Sequence, residues 1–323
     1  MSQATALRKA IEERELPHAF FEEHLVALQM RIEDAMEGHP PSIDTVLGPS
    51  RVGKTMLIHS LARSHPAQVK DGVRHVPVLV VRVPTPATPK QLPRSVLMAL
   101  GAPIPTSMAS TALMFERMAR QLKLADTRVL LFEEASHIVD TGTRLPPRAA
   151  GDWFKQLMDQ LNVSVVLFGV PRLERLLESN EQLRYRSGAV MRFNPYAWTD
   201  TAEQRHFAAC IRTYVRIFEQ SGSRFTFEFE PLVRNIYLLS GGLIGVVSKF
   251  MSRLAFDLKS REDRNISFAD CALSASKIEA AGDRDYPAFV ELDVASIKLN
   301  AAHTFVLNEA GVRLRKSNWV KKR

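Results

Sequence analysis

The apolar and polar positions of this chain change rhythm three times, and each change marks a different kind of structure. Over residues 1–38 charged and apolar positions alternate with a helical period, placing Leu7, Ile11, Leu25, Leu28, Ile32 and Met36 on candidate buried faces, with Pro17 as a break. After Pro40-Pro41 short apolar runs alternate with helical stretches. The runs are Thr45–Leu47, Pro77–Val83, Val129–Phe132, Val163–Phe168 and Ala189–Phe193. Strands alternating with helices predict a mostly parallel sheet with crossover helices, an α/β core. From about Thr199 the strand signal fades and helical periodicity runs to Leu258, interrupted at 221–231 and by SGGLIG at 240–245, which predicts a small helical second domain. Beyond Arg284 the pattern reads as an extended element holding the apolar run AAHTFVL and a basic end. The expected organisation is therefore an N-terminal helical appendage (1–40), an α/β core (41–198), a helical lid (199–283) and a C-terminal extension (284–323).

Composition adds limits. Hydrophobic content of 46% and charged content of 24% suit a soluble globular chain of 323 residues. No apolar stretch reaches the roughly 20 residues that span a bilayer, so the expectation is a cytoplasmic protein without a membrane partner. Cys210 and Cys271 make neither a disulfide framework nor a metal site. The net charge of +8 is concentrated at the end, where VRLRKSNWVKKR holds six basic residues, no acid and Trp319. Such an end suits DNA phosphates or an acidic protein partner.

The most restrictive segment is GPSRVGKT at 48–55, followed by Met56. Gly48 and Gly53 let the backbone wrap closely enough for the N–H groups of Pro49-Ser50-Arg51-Val52-Gly53 and beyond, proline excepted, to face phosphate oxygens. Lys54 then neutralises the β- and γ-phosphates, and the Thr55 hydroxyl ligates Mg²⁺. A β-like run before the loop and a helix-like run after it supply the context, so the expected cofactors are ATP and Mg²⁺. Val129–Phe132 runs into Glu133-Glu134, the place of the acids that hold the Mg²⁺ shell and polarise the attacking water in P-loop ATPases. The first acid is ordinarily Asp. Glu133 is longer by one methylene, which predicts binding with slow hydrolysis. The strand 163–168 ends at Gly169-Val170-Pro171, where a polar γ-phosphate sensor is common and Val170 is not polar. Arg186, with Arg184 second, stands just before the next strand, positioned to reach a neighbour's nucleotide. On the helix from about Ser110 to Lys123, Arg117, Arg120 and Lys123 recur every three residues, a candidate phosphate-contacting stripe.

Taken in order, GPSRVGKT, VLLFEEASH, VVLFGVPRL, EQLRYRSG and SGGLIG resemble the AAA+ ATPases, and among them the TniB/TnsC family of transposition regulators, over about residues 20–260. The resemblance implies a central parallel sheet flanked by helices plus a helical lid. It also implies an ATP-bound homo-oligomer, a ring or helical filament on double-stranded DNA without sequence preference, linking a TniQ-like target selector to a transposase. In that family pattern Lys54 and Thr55 bind nucleotide, Glu134 activates water, Arg186 is the trans-acting finger, and Ser136 falls where a DNA-facing hydroxyl occurs. Three alternatives stay open: a helicase loader or replication initiator, which shares nearly every motif; a small-substrate kinase, whose loop GPSxxGKT also fits; and an ATP-gated scaffold with no meaningful turnover.

Overall fold

The computed structural model describes residues 3–12, 16, 18–105, 109–140, 145–259, 261, 263–282 and 285–312. Most of the basic end, with Trp319, and the Pro17 break lie outside them. The chain divides into two compact units: Ala19–Gly48 with Gly53–Phe193, and residues 1–18, 49–52 and 194–323. The first forty residues are thus shared out. Helix α1 (Gln3–Glu12) groups with the C-terminal unit, and α2 (Ala19–Met36) with the α/β unit. On α2 the buried face is Phe21, His24, Leu28, Ile32 and Ala35, spaced by threes and fours as one helical stripe should be; Leu25 and Met36 are half-buried.

The α/β unit continues with β1 (Ile43–Leu47), α3 (Lys54–Ser64), an antiparallel hairpin β2 (Gln68–Lys70) and β3 (Val73–His75), then β4 (Val78–Arg82). Two helices follow, α4 (Gln91–Leu100) and α5 (Thr111–Leu124), the latter capped by the Ser110 hydroxyl accepting from the Leu113 N–H. The unit closes with β5 (Val129–Glu133), α6 (Pro147–Leu161), β6 (Ser164–Gly169), α7 (Glu174–Glu178), α8 (Glu181–Arg186) and β7 (Met191–Arg192). The sheet order is β4-β5-β6-β1-β7, all parallel, so the α/β expectation holds in type and in strand position. Every residue of β1 and β6 is buried. Parallel strands covered on both faces are mostly apolar, which is why β6 reads as an apolar run; β1 departs from this with Asp44 and Thr45 buried, the Asp44 carboxylate accepting from the Ser42 hydroxyl at 3.1 Å. The hairpin was absent from the sequence reading, although its signal is local: Asp71-Gly72, with φ of 50° and 75°, forms the left-handed turn that closes it.

The second unit contains α9 (Thr201–Gln220), β8 (Arg224–Phe225), α10 (Phe229–Ser240), α11 (Ile244–Asp257), β9 (Asn265–Ile266), α12 (Phe268–Ala275) and α13 (Ser296–Glu309). Asp200 caps α9 by accepting from Ala202 and Glu203, and Ser267 and Asp270 form a reciprocal capping box on α12. The C-terminal stretch departs from expectation. AAHTFVL is not extended but lies in α13, which buries Leu299, Ala302, Val306 and Leu307. No single described helix is long and apolar enough to cross a membrane.

Candidate functional site

Strand β1 has β6 on one side and β7 on the other, so the chain's crossovers reverse direction at its C-terminal end. Crevices form at such switch points in open parallel sheets. The loop leaving β1 is pinned there: the Gly48 N–H donates to the Gly169 carbonyl at 3.1 Å, and the Phe193 N–H to Leu47 at 2.7 Å. Gly53 sits at φ 121° immediately before α3, and a Cβ on it would meet the Phe193 ring at 3.3 Å. Both constraints demand glycine. The N–H groups of the first turn of α3 are thereby left directed at the loop, an anion-binding arrangement.

Lys54 and Thr55 open that helix. The Lys54 ammonium donates to the Gly48 carbonyl at 2.7 Å, and burial pushes its pKa down to about 8. An amine held out of water at the mouth of an anion cradle fits a polyphosphate, whose charge restores what desolvation removes. The Thr55 hydroxyl donates to Glu133 Oε1 at 2.6 Å. A hydroxyl and a carboxylate in contact beside a phosphate cradle fit Mg²⁺, which takes one or two protein oxygens and leaves the rest to phosphates and water. Glu133 reaches Thr55 despite its extra methylene.

Within the second unit, the loop residues Pro49–Val52 are held by the helical elements. The Gly245 N–H donates to the Arg51 carbonyl at 2.9 Å, and Arg51 Nη2 lies 3.9 Å from Glu279. A Cβ at Gly245 would come within 2.5 Å of the Arg51 oxygen. This close approach accounts for the last glycine of SGGLIG. Arg51 itself has φ 66°, while Ser50 is exposed, Pro49 and Val52 are buried and Met56 is half-buried.

Glu134 follows β5 in the left-handed region at φ 56°, uncommon for a side chain with a Cβ. Its carboxylate is engaged by Arg82 at the end of β4, Nε to Oε2 and Nη2 to Oε1, each at 3.0 Å. His137 Nδ1 lies 3.7 Å from Oε2 and 2.9 Å from the Thr85 hydroxyl. Parallel register sets Arg82 beside Glu133, so the next residue meets the guanidinium fork. Arg82 was missed in the sequence, since the cross-strand neighbour of an acid is visible only once the strands are paired.

Ser136 is placed otherwise than the family pattern implied. It is buried, at 4% exposure, and its Oγ accepts from the Val170 N–H at 2.7 Å. The short helical turn Ala135–Val139 packs against the segment after β6 and turns the hydroxyl inward. A Cβ on Gly169 would lie 2.4 Å from that Oγ. Arg186 pairs through Nη1 with Asp159, and Arg184 lies over the Tyr185 ring at 5.6 Å; both arginines are exposed. On α5, Arg120 and Lys123 are exposed and Arg117 is half-buried, because Met114, Met118 and Leu122 take the buried face.

Comparison with known proteins agrees with this geometry. The family model described as "Bacterial TniB protein" matches residues 8–195, more than half of the chain. No curated protein matches significantly. Among solved structures, the Aeropyrum pernix ORC2 protein in ADPNP and ADP complexes is similar with a TM-score of 0.64 at 13% identity, covering 86% of this chain and 73% of that one. The Cdc6p protein of Pyrobaculum aerophilum gives 0.61 at 15%, covering 84% and 70%. The Aeropyrum pernix ORC1 protein, solved in complex with DNA, gives 0.56 at 17%, covering 84% and 69%. At these identities the likeness establishes the fold, an AAA+ P-loop core with a helical C-terminal region.

Proposed function

The chain belongs to the TniB family, and from that premise we propose that it is an ATP-dependent, DNA-binding regulator of transposition. The observation that carries the reading is the convergence of Lys54, Thr55 and Glu133 on one crevice, with Glu134 next in the chain. In this reading the α3 N-terminus and Lys54 hold the phosphates. Thr55 and Glu133 hold Mg²⁺, which when bound neutralises phosphate charge. Glu134 takes the proton of the attacking water, a role open to it only after Arg82 lets go of its two oxygens. Arg186 completes a neighbour's site after leaving Asp159, so the active form is a homo-oligomer, a ring or a filament. That oligomer surrounds duplex DNA through phosphate contacts, with Arg120 and Lys123 among the candidates, and joins a TniQ-like selector to a transposase. Assembly comes first and slow hydrolysis times release.

Electron microscopy with linear duplex DNA under ATP, a slowly hydrolysed analogue and ADP tests this. Rings or filaments on DNA only with triphosphate are expected; monomers in every condition would refute it. The second reading, loading or initiation in replication, draws on the fold shared with the ORC and Cdc6 proteins. Recovery of a replicative helicase, and of neither a transposase nor a TniQ-like protein, would favour it.

A further inference from the structure

The helical unit contains a groove of about 620 Å³ whose lining includes Arg8 from α1, Lys249, Ser252, Arg253 and Phe256 from α11, and Lys277 just beyond α12. None of these side chains has a part in the nucleotide chemistry above. Their charge is lopsided. Arg253 and Lys277 share a single carboxylate, Asp257, at 2.7 and 3.1 Å. Burial raises the Asp257 pKa, but hydrogen bonds from Arg253, Ser274 and Lys277 outweigh it and hold the carboxyl below its usual range, so Asp257 is ionised at neutral pH. Four cations, Arg8, Lys249, Arg253 and Lys277, line the groove, and no Asp or Glu is among its described lining residues.

The floor is unusual as well. Phe256 remains 44% exposed, with the guanidinium carbons of Arg8 and Arg253 5.6 and 5.1 Å from its ring centre. Aromatic contact of this kind steadies a guanidinium and orients its donors. Lys249 and Arg253 are one turn apart on α11, about 6 Å along the axis, and Ser252 offers a hydroxyl between them. Linearly spaced cations with a hydroxyl donor match a repeating polyanion better than a single point charge, and Arg, Lys and Ser are the side chains that meet sugar-phosphate backbone.

We propose that this groove binds the phosphodiester backbone of nucleic acid, without reading sequence, as a contact surface additional to the α5 stripe. It rests on the reading of the protein as a DNA binder but not on the nucleotide site. Binding of labelled duplex and single-stranded DNA to the full chain with ATP present, followed by fluorescence anisotropy across a salt series, tests it. Lys249→Glu and Arg8→Glu should each weaken DNA binding by about tenfold at low salt and flatten the log–log salt dependence by about one unit per lost phosphate contact, while Lys249→Arg retains both. Thermal melting and ATP affinity should be unchanged.

A second readout avoids charge. Cys210 and Cys271 are buried, and burial raises both thiols, that of Cys210 to about 12, so a Ser252→Cys thiol reacts first with iodoacetamide. DNA should slow that reaction at low salt and not at high salt. Unchanged affinity in both charge variants, no protection of the introduced thiol, or a parallel fall in ATP affinity would each overturn the proposal. If the wild type binds no nucleic acid, the DNA-binding reading itself fails; if it binds and the variants bind equally, only the groove is wrong. Preference for duplex over single strand identifies which backbone the groove meets.

Discussion

Arg82 grips both carboxylate oxygens of Glu134 at 3.0 Å, across neighbouring parallel strands, and so occupies the group that the proposed chemistry needs as its base. Arg82→Ala should raise basal ATP turnover by roughly one order of magnitude, a fraction of the ~10²–10⁴-fold that a positioned base contributes. Steady-state phosphate release with ATP affinity measured alongside decides the matter. A fall in turnover at unchanged affinity would make Arg82 an assistant to Glu134 instead of a restraint on it.

Lys54 has its pKa lowered to about 8 by burial. A bound polyphosphate favours the ammonium, so binding takes up a proton wherever the free amine is neutral. Nucleotide affinity should be level below pH 8 and weaken by about tenfold by pH 9, with proton uptake visible by calorimetry in buffers of different ionisation enthalpy. Lys54→Ala should abolish the dependence together with most of the affinity. The same depressed pKa makes stability of the free protein rise with pH from about 8 toward the unfolded lysine value.

Glu133 contacts Thr55 at 2.6 Å. Glu133→Asp shortens the arm by one methylene, and the expectation is faster turnover at similar ATP affinity. Equal or slower hydrolysis in the variant would show that the glutamate is not what slows the reaction.

Ser136 and Gly169 are fitted to each other. Gly169→Ala puts a methyl where the Ser136 hydroxyl stands and should cost about 1–3 kcal/mol in denaturant unfolding. Ser136→Ala leaves the Val170 N–H without its acceptor and should cost about 1 kcal/mol. The two costs should not add in the Gly169→Ala/Ser136→Ala double variant, since loss of the hydroxyl relieves the 2.4 Å contact and leaves only the Leu173 side chain, at 2.8 Å, and the Ser136 backbone nitrogen, at 3.2 Å, crowding the new methyl. Full additivity would mean that the contact is not what the pair is for.

Arg186 must leave Asp159 before it can serve a neighbour. Arg186→Ala should depress turnover by about 10³-fold, the lower end of what such fingers supply, without changing ATP affinity. Mixing it with Lys54→Ala subunits should restore part of the activity, each subunit supplying what the other lacks. No restoration at any ratio would remove Arg186 from a trans role and bring Arg184 forward.

The chain's local pattern was enough to locate the five strands of the main sheet, the P-loop and the two acids at the end of β5, because burial on both faces of a parallel sheet favours apolar runs and a phosphate loop needs its glycines. It also sufficed for the helical character of 201–257. It failed where a residue's role depends on what lies across from it. Arg82 looks like any strand-end arginine until β4 is set in register with β5, and Ser136 looks exposed after two acids until the turn carrying it packs on Val170. AAHTFVL was misjudged because a short apolar run carries no period that separates strand from helix. The groove on α11 is the same kind of case, since Arg8 and Lys277 are far from Lys249 in sequence and share one surface only because α1 and α12 pack against α11. Motifs are local chemistry and are written in the sequence; restraint, occlusion and shared charge are relations between distant residues, and those only tertiary packing decides.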